Sequence, residues 1–116
     1  GGLDDKHLIN KFISSGFQDC SFSLENLQIK EIMHVIKNSD LYIGNDTGFM
    51  HISAGLGLKC IGLFFDSPAY SYSGYTKKIE AITPLGKTIY TTTHNTNGKD
   101  RISFEEVVEK TLSEVN

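Results

Sequence analysis

Apolar positions along the chain keep two different periods, and the switches between them mark out the elements. Over residues 4–14, Leu8, Ile9, Phe12 and Ile13 recur at the spacing of one helix face, with Asp4 and Asp5 at the positive end and Gly16 as a stop. A short strand is read around residues 20–22. A second helix covers the segment QIKEIMHVIKNSD, where Ile29, Ile32, Met33 and Ile36 form one face and Glu31 and Lys37 suit the helix dipole. Two apolar runs of strand character follow, Leu41–Ile43 and Cys60–Phe65. Between them, residues 47–57 read as a helix rich in small side chains, closed by Gly57. Residues 66–78 read as a Ser/Tyr/Gly loop, residues 79–83 as a short strand, and the following polar stretch carries a turn signal at Asn97-Gly98. The closing segment SFEEVVEKTLSEV is an amphipathic helix with a capping box at Ser103 and Glu106, and with Phe104, Val107, Val108, Leu112 and Val115 available for packing.

Helix, helix, strand, helix, strand, loop, strand, helix is an α/β order, and the unbroken apolar run at Cys60–Phe65 suits a strand covered on both faces of a parallel sheet. The 116 residues suffice for one domain that buries roughly two-thirds of its unfolded surface. With 39% hydrophobic and 22% charged residues, wholesale disorder is excluded. The net charge of -3, without any Lys/Arg cluster, argues against an electrostatic grip on nucleic acid or acidic lipid. Cys20 and Cys60 have no CxxC partner and read as buried free thiols of a reduced, cytosolic protein. No apolar run approaches the roughly 20 residues of a membrane span. The opening GGLDDK, without an initiator Met, reads as a trimmed domain or a tag remnant.

Chemistry concentrates in GNDTGFMH, residues 44–51, where a strand of the sheet hands over to a helix. Ligands of open α/β sheets bind at the carboxyl ends of strands, and a helix start there offers free N–H groups and about half a positive charge. Gly48 leaves room for an oxyanion to approach the backbone, Thr47 adds a hydroxyl, and His51 lies one turn on. Two readings stand side by side: an anion site suited to phosphate, or an ordinary N-cap at Asp46 or Thr47 with His51 a surface residue. Asp66, after the second strand, is read equally as a ligand contact or as a cap for the next turn.

The stretch NSDLYIGNDTGFMHISAGLGLKCIGLFFDSP resembles glycosyltransferase family 9, the ADP-heptose:lipopolysaccharide heptosyltransferases, in which a strand ends in an Asp-Ser/Thr-Gly-x-x-His turn before a small-residue helix. Asp46, Thr47, Gly48, Met50, His51, Ala54 and Gly57 fall in register, with Glu31 and Asp40 upstream, the closing helix downstream, and Gly1-Gly2 similar to the family's strand-ending glycine pair. The family's Gly-Pro-Thr-Asp-Pro loop is replaced by Phe65-Asp66-Ser67-Pro68. The resemblance implies a Rossmann-like parallel sheet flanked by helices, the C-terminal half of a GT-B fold. It implies a donor site built from Asn45, Asp46, Thr47, Gly48, Phe49, Met50, His51 and Asp66, in which Thr47, Gly48 and Phe49 face the pyrophosphate, Asp46 the sugar or ribose hydroxyls, and His51 the phosphates. The donor would be ADP-heptose or a similar nucleotide sugar, without metal or cofactor, and the acceptor a glycan such as lipopolysaccharide core or a lipid-linked one. An N-terminal acceptor-binding domain with the catalytic carboxylate is expected outside these residues, so the chain alone is expected to be inactive. The implied location is cytoplasmic, at the inner face of a bacterial inner membrane. Other readings are a non-catalytic nucleotide-binding or interaction module, and a GT-B sugar-nucleotide epimerase preferring uridine.

The remaining candidates carry plainer readings. Tyr70, Tyr72 and Tyr75 either stack on a base, face a partner domain or belong to a mobile loop. His7, His34 and His94 read as surface residues, and Glu105, Glu106 and Glu109 as a solvated helix face.

Overall fold

A computed structural model describes residues 3–116, so the reading of Gly1-Gly2 lies outside the described residues. The chain divides into two compact units, the first ending at His34 and the second running from Val35 to Asn116.

In the first unit a short 3-10 turn, Leu3–Asp5, leads into helix α1, Lys6–Phe12. An irregular helical turn follows at Ile13–Phe17, where Gly16 adopts φ 110 and ends the helical path as expected of a glycine stop. The apolar stripe of α1 is present but uncovered: Leu8, Ile9, Phe12 and Ile13 line an open apolar groove with Cys20, Ser21 and Phe22. Residues 20–22 are turn and irregular backbone rather than the expected strand, and the Cys20 N–H bonds locally, to the Phe17 carbonyl. Helix α2, Ile29–Lys37, whose last three residues belong to the second unit, starts as its sequence demands, with the Glu31 carboxylate accepting from the Gln28 N–H at 2.7 Å.

The second unit is built on three parallel strands in the order β1-β2-β3: β1 Leu41–Asn45, β2 Lys59–Leu63 and β3 Ile79–Ile82. Leu41 pairs with Lys59 and Asn45 with Leu63, so β1 and β2 end level with each other. Helix α3, Gly48–Gly55, packs on β1 and β2, and α5, Phe104–Val115, packs on the same two strands. Side-chain alternation along β2 places these helices on opposite faces. Cys60 and Gly62 point at α3, where the Cys60 Sγ lies 3.7 Å from the Met50 carbonyl. Lys59 points to the other face, where it pairs with Glu114 of α5 at 3.0 Å, and Glu80 of β3 pairs there with Lys110 at 2.8 Å. The protein is thus α/β, a three-stranded parallel sheet flanked by helices.

The core of this unit is Ile36, Met50, Ala54, Leu58, Cys60, Ile61, Phe64, Ala69, Ile79 and Ile82. Gly62 decides how closely α3 can lie on the sheet. A Cβ there would stand 2.6 Å from the Met50 sulfur and 2.9 Å from the Phe64 ring, both fully buried. Helix α3 ends at Gly57, φ 94, with the Leu58 N–H reaching the Ser53 carbonyl and the Gly57 N–H reaching that of Ala54, the paired bonds of a Schellman stop.

Two further expectations change. The segment after β2 is not all loop, since Ala69–Ser73 forms a short helix, α4, whose Ala69 N–H and Tyr70 N–H are held by the Thr92 hydroxyl and the Ile89 carbonyl. Those anchors come from the polar stretch downstream and have no periodic signature. Cys20 is exposed, and only Cys60 is a buried thiol. Helix α5 starts at Ser103, whose hydroxyl accepts from the Glu106 N–H at 3.2 Å. Its Val107 and Val108 are half-buried, whereas Phe104 is 76% exposed and Leu112 and Val115 are also outside the core.

Replacing Gly62 by Ala should therefore cost about 1–3 kcal/mol, because the new methyl meets a packed sulfur and ring; a denaturant midpoint equal to that of the parent would contradict this packing. Burial also pushes the Cys60 thiol up from its ordinary value. Iodoacetamide should accordingly modify Cys20 in the native chain and reach Cys60 only after unfolding, as read by mass spectrometry.

Candidate functional site

Strand β1 ends at Asn45 and α3 begins at Gly48, so Asp46 and Thr47 alone span the sheet edge. The Asp46 N–H is still tied to the sheet, donating to the Leu63 carbonyl at 3.4 Å. Thr47 is extended (φ -142, ψ 168) and occupies the N-cap position of α3, yet its side chain makes no cap hydrogen bond. The hydroxyl faces Tyr42 instead, 3.3 Å from the phenol oxygen, which also donates to the Asn45 carbonyl at 3.3 Å. Tyr42 can lie across the strand because Gly44 has no side chain; a Cβ at Gly44 would sit 2.7 Å from that phenol oxygen.

The Asp46 carboxylate does not cap the helix either. Its Oδ1 lies 3.3 Å from Nε2 of His51, one turn into α3, and His51 Nδ1 lies 2.7 Å from the Tyr75 hydroxyl. Thr47 gives its carbonyl to the N–H groups of Met50 and His51 at 3.0 and 3.4 Å. The N–H groups of Gly48 and Phe49 precede those and have no place in the intrahelical ladder. The plain cap reading therefore fails for both side chains, and the positive end of α3 is left open toward solvent beside the ends of β1 and β2.

Gly48 is informative by what it does not touch. A Cβ there would meet nothing within 4 Å, and its φ is not in the left-handed region. Neither packing nor backbone geometry asks for glycine at this point. The open space lies beside the helix start, where a bound group would need it.

The expected site residues separate into three sets. Asn45, Asp46 and Asp66 line one shallow depression of about 190 Å³ at the strand ends, together with Leu63, Phe65 and Ser67. Thr47, Gly48 and His51 do not line it but belong to the start of α3, while Phe49 is half-buried and its carbonyl accepts from Ser53 Oγ at 2.7 Å. Met50 is placed in the core, its side chain fully buried against Gly62. Asp66 has a structural partner: its Oδ1 accepts from the Asn97 N–H at 2.9 Å, while the Gly98 N–H donates to the Phe65 carbonyl at 2.9 Å. That pair of bonds holds the Asn97-Gly98 turn against the end of β2. Among the described residues no group of three or more His, Cys, Asp or Glu could hold a metal ion.

Tyr42 escapes the sequence reading as part of this site, although it shares a strand face with Gly44 and lies five positions before Thr47. Tyr75 is named there with Tyr70 and Tyr72 as a stacking, domain-facing or loop residue, but its link to His51, 24 positions away, has no signal.

The family model of glycosyltransferase family 9 (heptosyltransferase) matches residues 4–100. The chain belongs to that family. Comparison with curated proteins and with solved structures returned no match. The match to this glycosyltransferase family spans both α1 and the whole sheet, together with the site at the ends of β1 and β2. A sugar transferase of this kind uses a nucleotide-sugar donor and a glycan acceptor. No described helix of this family 9 chain is long and apolar enough to cross a membrane.

Because nothing surrounds a methyl group at position 48, Gly48→Ala should leave the thermal midpoint unchanged or raise it, by up to about 1 kcal/mol of stability. A large loss of stability, read by calorimetry, would mean that glycine serves the fold here after all.

Proposed function

We propose that this chain binds the nucleotide-sugar donor of a family 9 glycosyltransferase, with the donor pyrophosphate seated on the start of α3. The observation that carries this reading is the uncapped N-terminus of α3 at the strand ends, next to a glycine that the fold itself does not need. The free N–H groups of Gly48 and Phe49 and the helix dipole favour an anion. As the sugar leaves, negative charge grows on the nucleoside diphosphate, and donors already aimed at that position lower the barrier without reorganising. The Thr47 hydroxyl, beside the same helix start, is engaged by the Tyr42 phenol and would have to turn from it to donate to the ligand. The Asp46 carboxylate, acceptor-only when ionised, suits sugar or ribose hydroxyls rather than phosphate. Asn45 and Asp66 line the same depression and extend the acceptor set.

The donor we favour is ADP-heptose or a close relative, and the acceptor a lipopolysaccharide core or related surface glycan assembled at the inner face of the inner membrane. The general base for the acceptor hydroxyl is proposed to come from a separate acceptor-binding domain, which leaves the present chain as a binding half without turnover of its own.

Protein-detected NMR titration with ADP tests the reading. Amide shifts centred on residues 45–51 are expected, weaker with UDP than with ADP, and Gly48→Ala should reduce the affinity about tenfold while the fold is kept. An unchanged spectrum at millimolar ADP would remove the proposal, and a preference for UDP would redirect it toward an epimerase.

A further inference from the structure

The three side chains Tyr75, His51 and Asp46 come from three separate pieces of chain: the turn after α4, the fourth residue of α3, and the β1–α3 turn. Both ring nitrogens of His51 are engaged by the other two, Nδ1 with the Tyr75 hydroxyl at 2.7 Å and Nε2 with Asp46 Oδ1 at 3.3 Å. An imidazole held at both ends is poorly placed to offer a hydrogen bond to a phosphate. It is well placed to orient the carboxylate.

We propose that Tyr75 is a positioning residue for the donor site, acting through His51 to set the orientation of the Asp46 carboxylate. The inference rests on the donor-binding reading of the site. In neutral imidazole one nitrogen donates and the other accepts. An ionised carboxylate can only accept, so the proton between His51 and Asp46 sits on Nε2, and Nδ1 receives the Tyr75 O–H. All hydrogen bonds then run in one direction, from phenol to imidazole to carboxylate, and each polarises the next. With Oδ1 committed to His51, the other oxygen of Asp46 is free for a hydroxyl in the depression that Asp46 lines.

Three further observations support this role. The Tyr75 ring lies 5.8 Å from the His51 ring, centroid to centroid, at 31°, so a ring contact backs up the hydrogen bond. Desolvation of its hydroxyl, with Cys60 and then Asp46 adding to it, pushes Tyr75 up from its ordinary value, so the phenol keeps the proton it donates. The turn that carries it is anchored: the Gly74 N–H donates to the Tyr70 carbonyl at 2.8 Å, and α4 itself is pinned through Thr92 and Ile89. At 61% exposure, Tyr75 is positioned by these contacts and its hydrogen bond rather than by burial in the core.

Tyr75→Phe keeps the ring and removes only the hydroxyl, so the fold should survive. Two-bond 1H–15N spectra of the histidine rings report the tautomer of His51 directly. The parent chain should show a single form protonated at Nε2, and Tyr75→Phe should move the Nδ1 resonance and mix the tautomers; identical ring resonances in the two proteins would overturn the proposal whether or not ADP binds. The second readout is affinity. Tyr75→Phe should weaken ADP-ribose binding about threefold to tenfold, the loss expected for one positioning hydrogen bond. In a His51→Ala background the same change should cost nothing further. Equal losses in both backgrounds would mean that Tyr75 meets the ligand itself, and the positioning role would be wrong. Failure of the parent chain to bind ADP or ADP-ribose at all would instead remove the donor-binding reading, and with it the functional meaning of a link whose existence the tautomer spectra still decide.

Discussion

The approach of Met50 to Gly62 governs the geometry of everything at the strand ends. A helix that rests on a glycine can lie closer to a sheet than one resting on any side chain, and α3 uses that closeness with Met50, Ser53 and Ala54 all buried beneath it. The Ser53 hydroxyl turns back to the Phe49 carbonyl at 2.7 Å, so the one polar group on that buried face is satisfied inside the helix. The Schellman stop at Gly57 then returns the chain to β2 within a few residues. With both ends of α3 determined in this way, its first turn has little freedom, and the open N–H groups stand over the ends of β1 and β2.

Around that first turn the side chains that look like caps are drawn elsewhere. Tyr42 takes up the Thr47 hydroxyl, and His51 takes up the Asp46 carboxylate. Each diversion depends on a residue without a side chain or with a reach across the fold: Gly44 lets Tyr42 lie over the strand, and Tyr75 braces His51 from the turn after α4. An N-cap side chain would be worth about 1 kcal/mol to the helix. Here that stabilisation is forgone at a position where open N–H groups can serve a bound anion.

The long polar stretch after β3 has a comparable purpose. It carries almost no apolar periodicity, yet the Thr92 hydroxyl, the Ile89 carbonyl and the Asn97-Gly98 turn all bond to the segment that follows β2. Gly98 fits against Pro84 and the Phe65 carbonyl so tightly that a Cβ would stand 2.1 Å from the proline ring. Asp66, which could be read either as a ligand contact or as a turn cap, is used by this scaffold through one oxygen.

By itself the sequence determined the α/β order, the strands on either side of the small-residue helix, the Gly16 and Gly57 stops, the Ser103 cap and the strand-to-helix turn within residues 44–51. Each of these rests on neighbours within about one turn or one strand pair, where spacing and residue type carry the physics directly. The tertiary structure alone decided that residues 20–22 form no strand, that a helix sits at Ala69–Ser73, that Met50 belongs to the core, and that Asp66 holds a turn. It also decided that His51 lies between Asp46 and Tyr75. All but the first of those outcomes depend on hydrogen bonds and contacts between residues 12 to 31 positions apart, in which a polar group's partner is set by where the folded backbone brings it, and no local period records that choice.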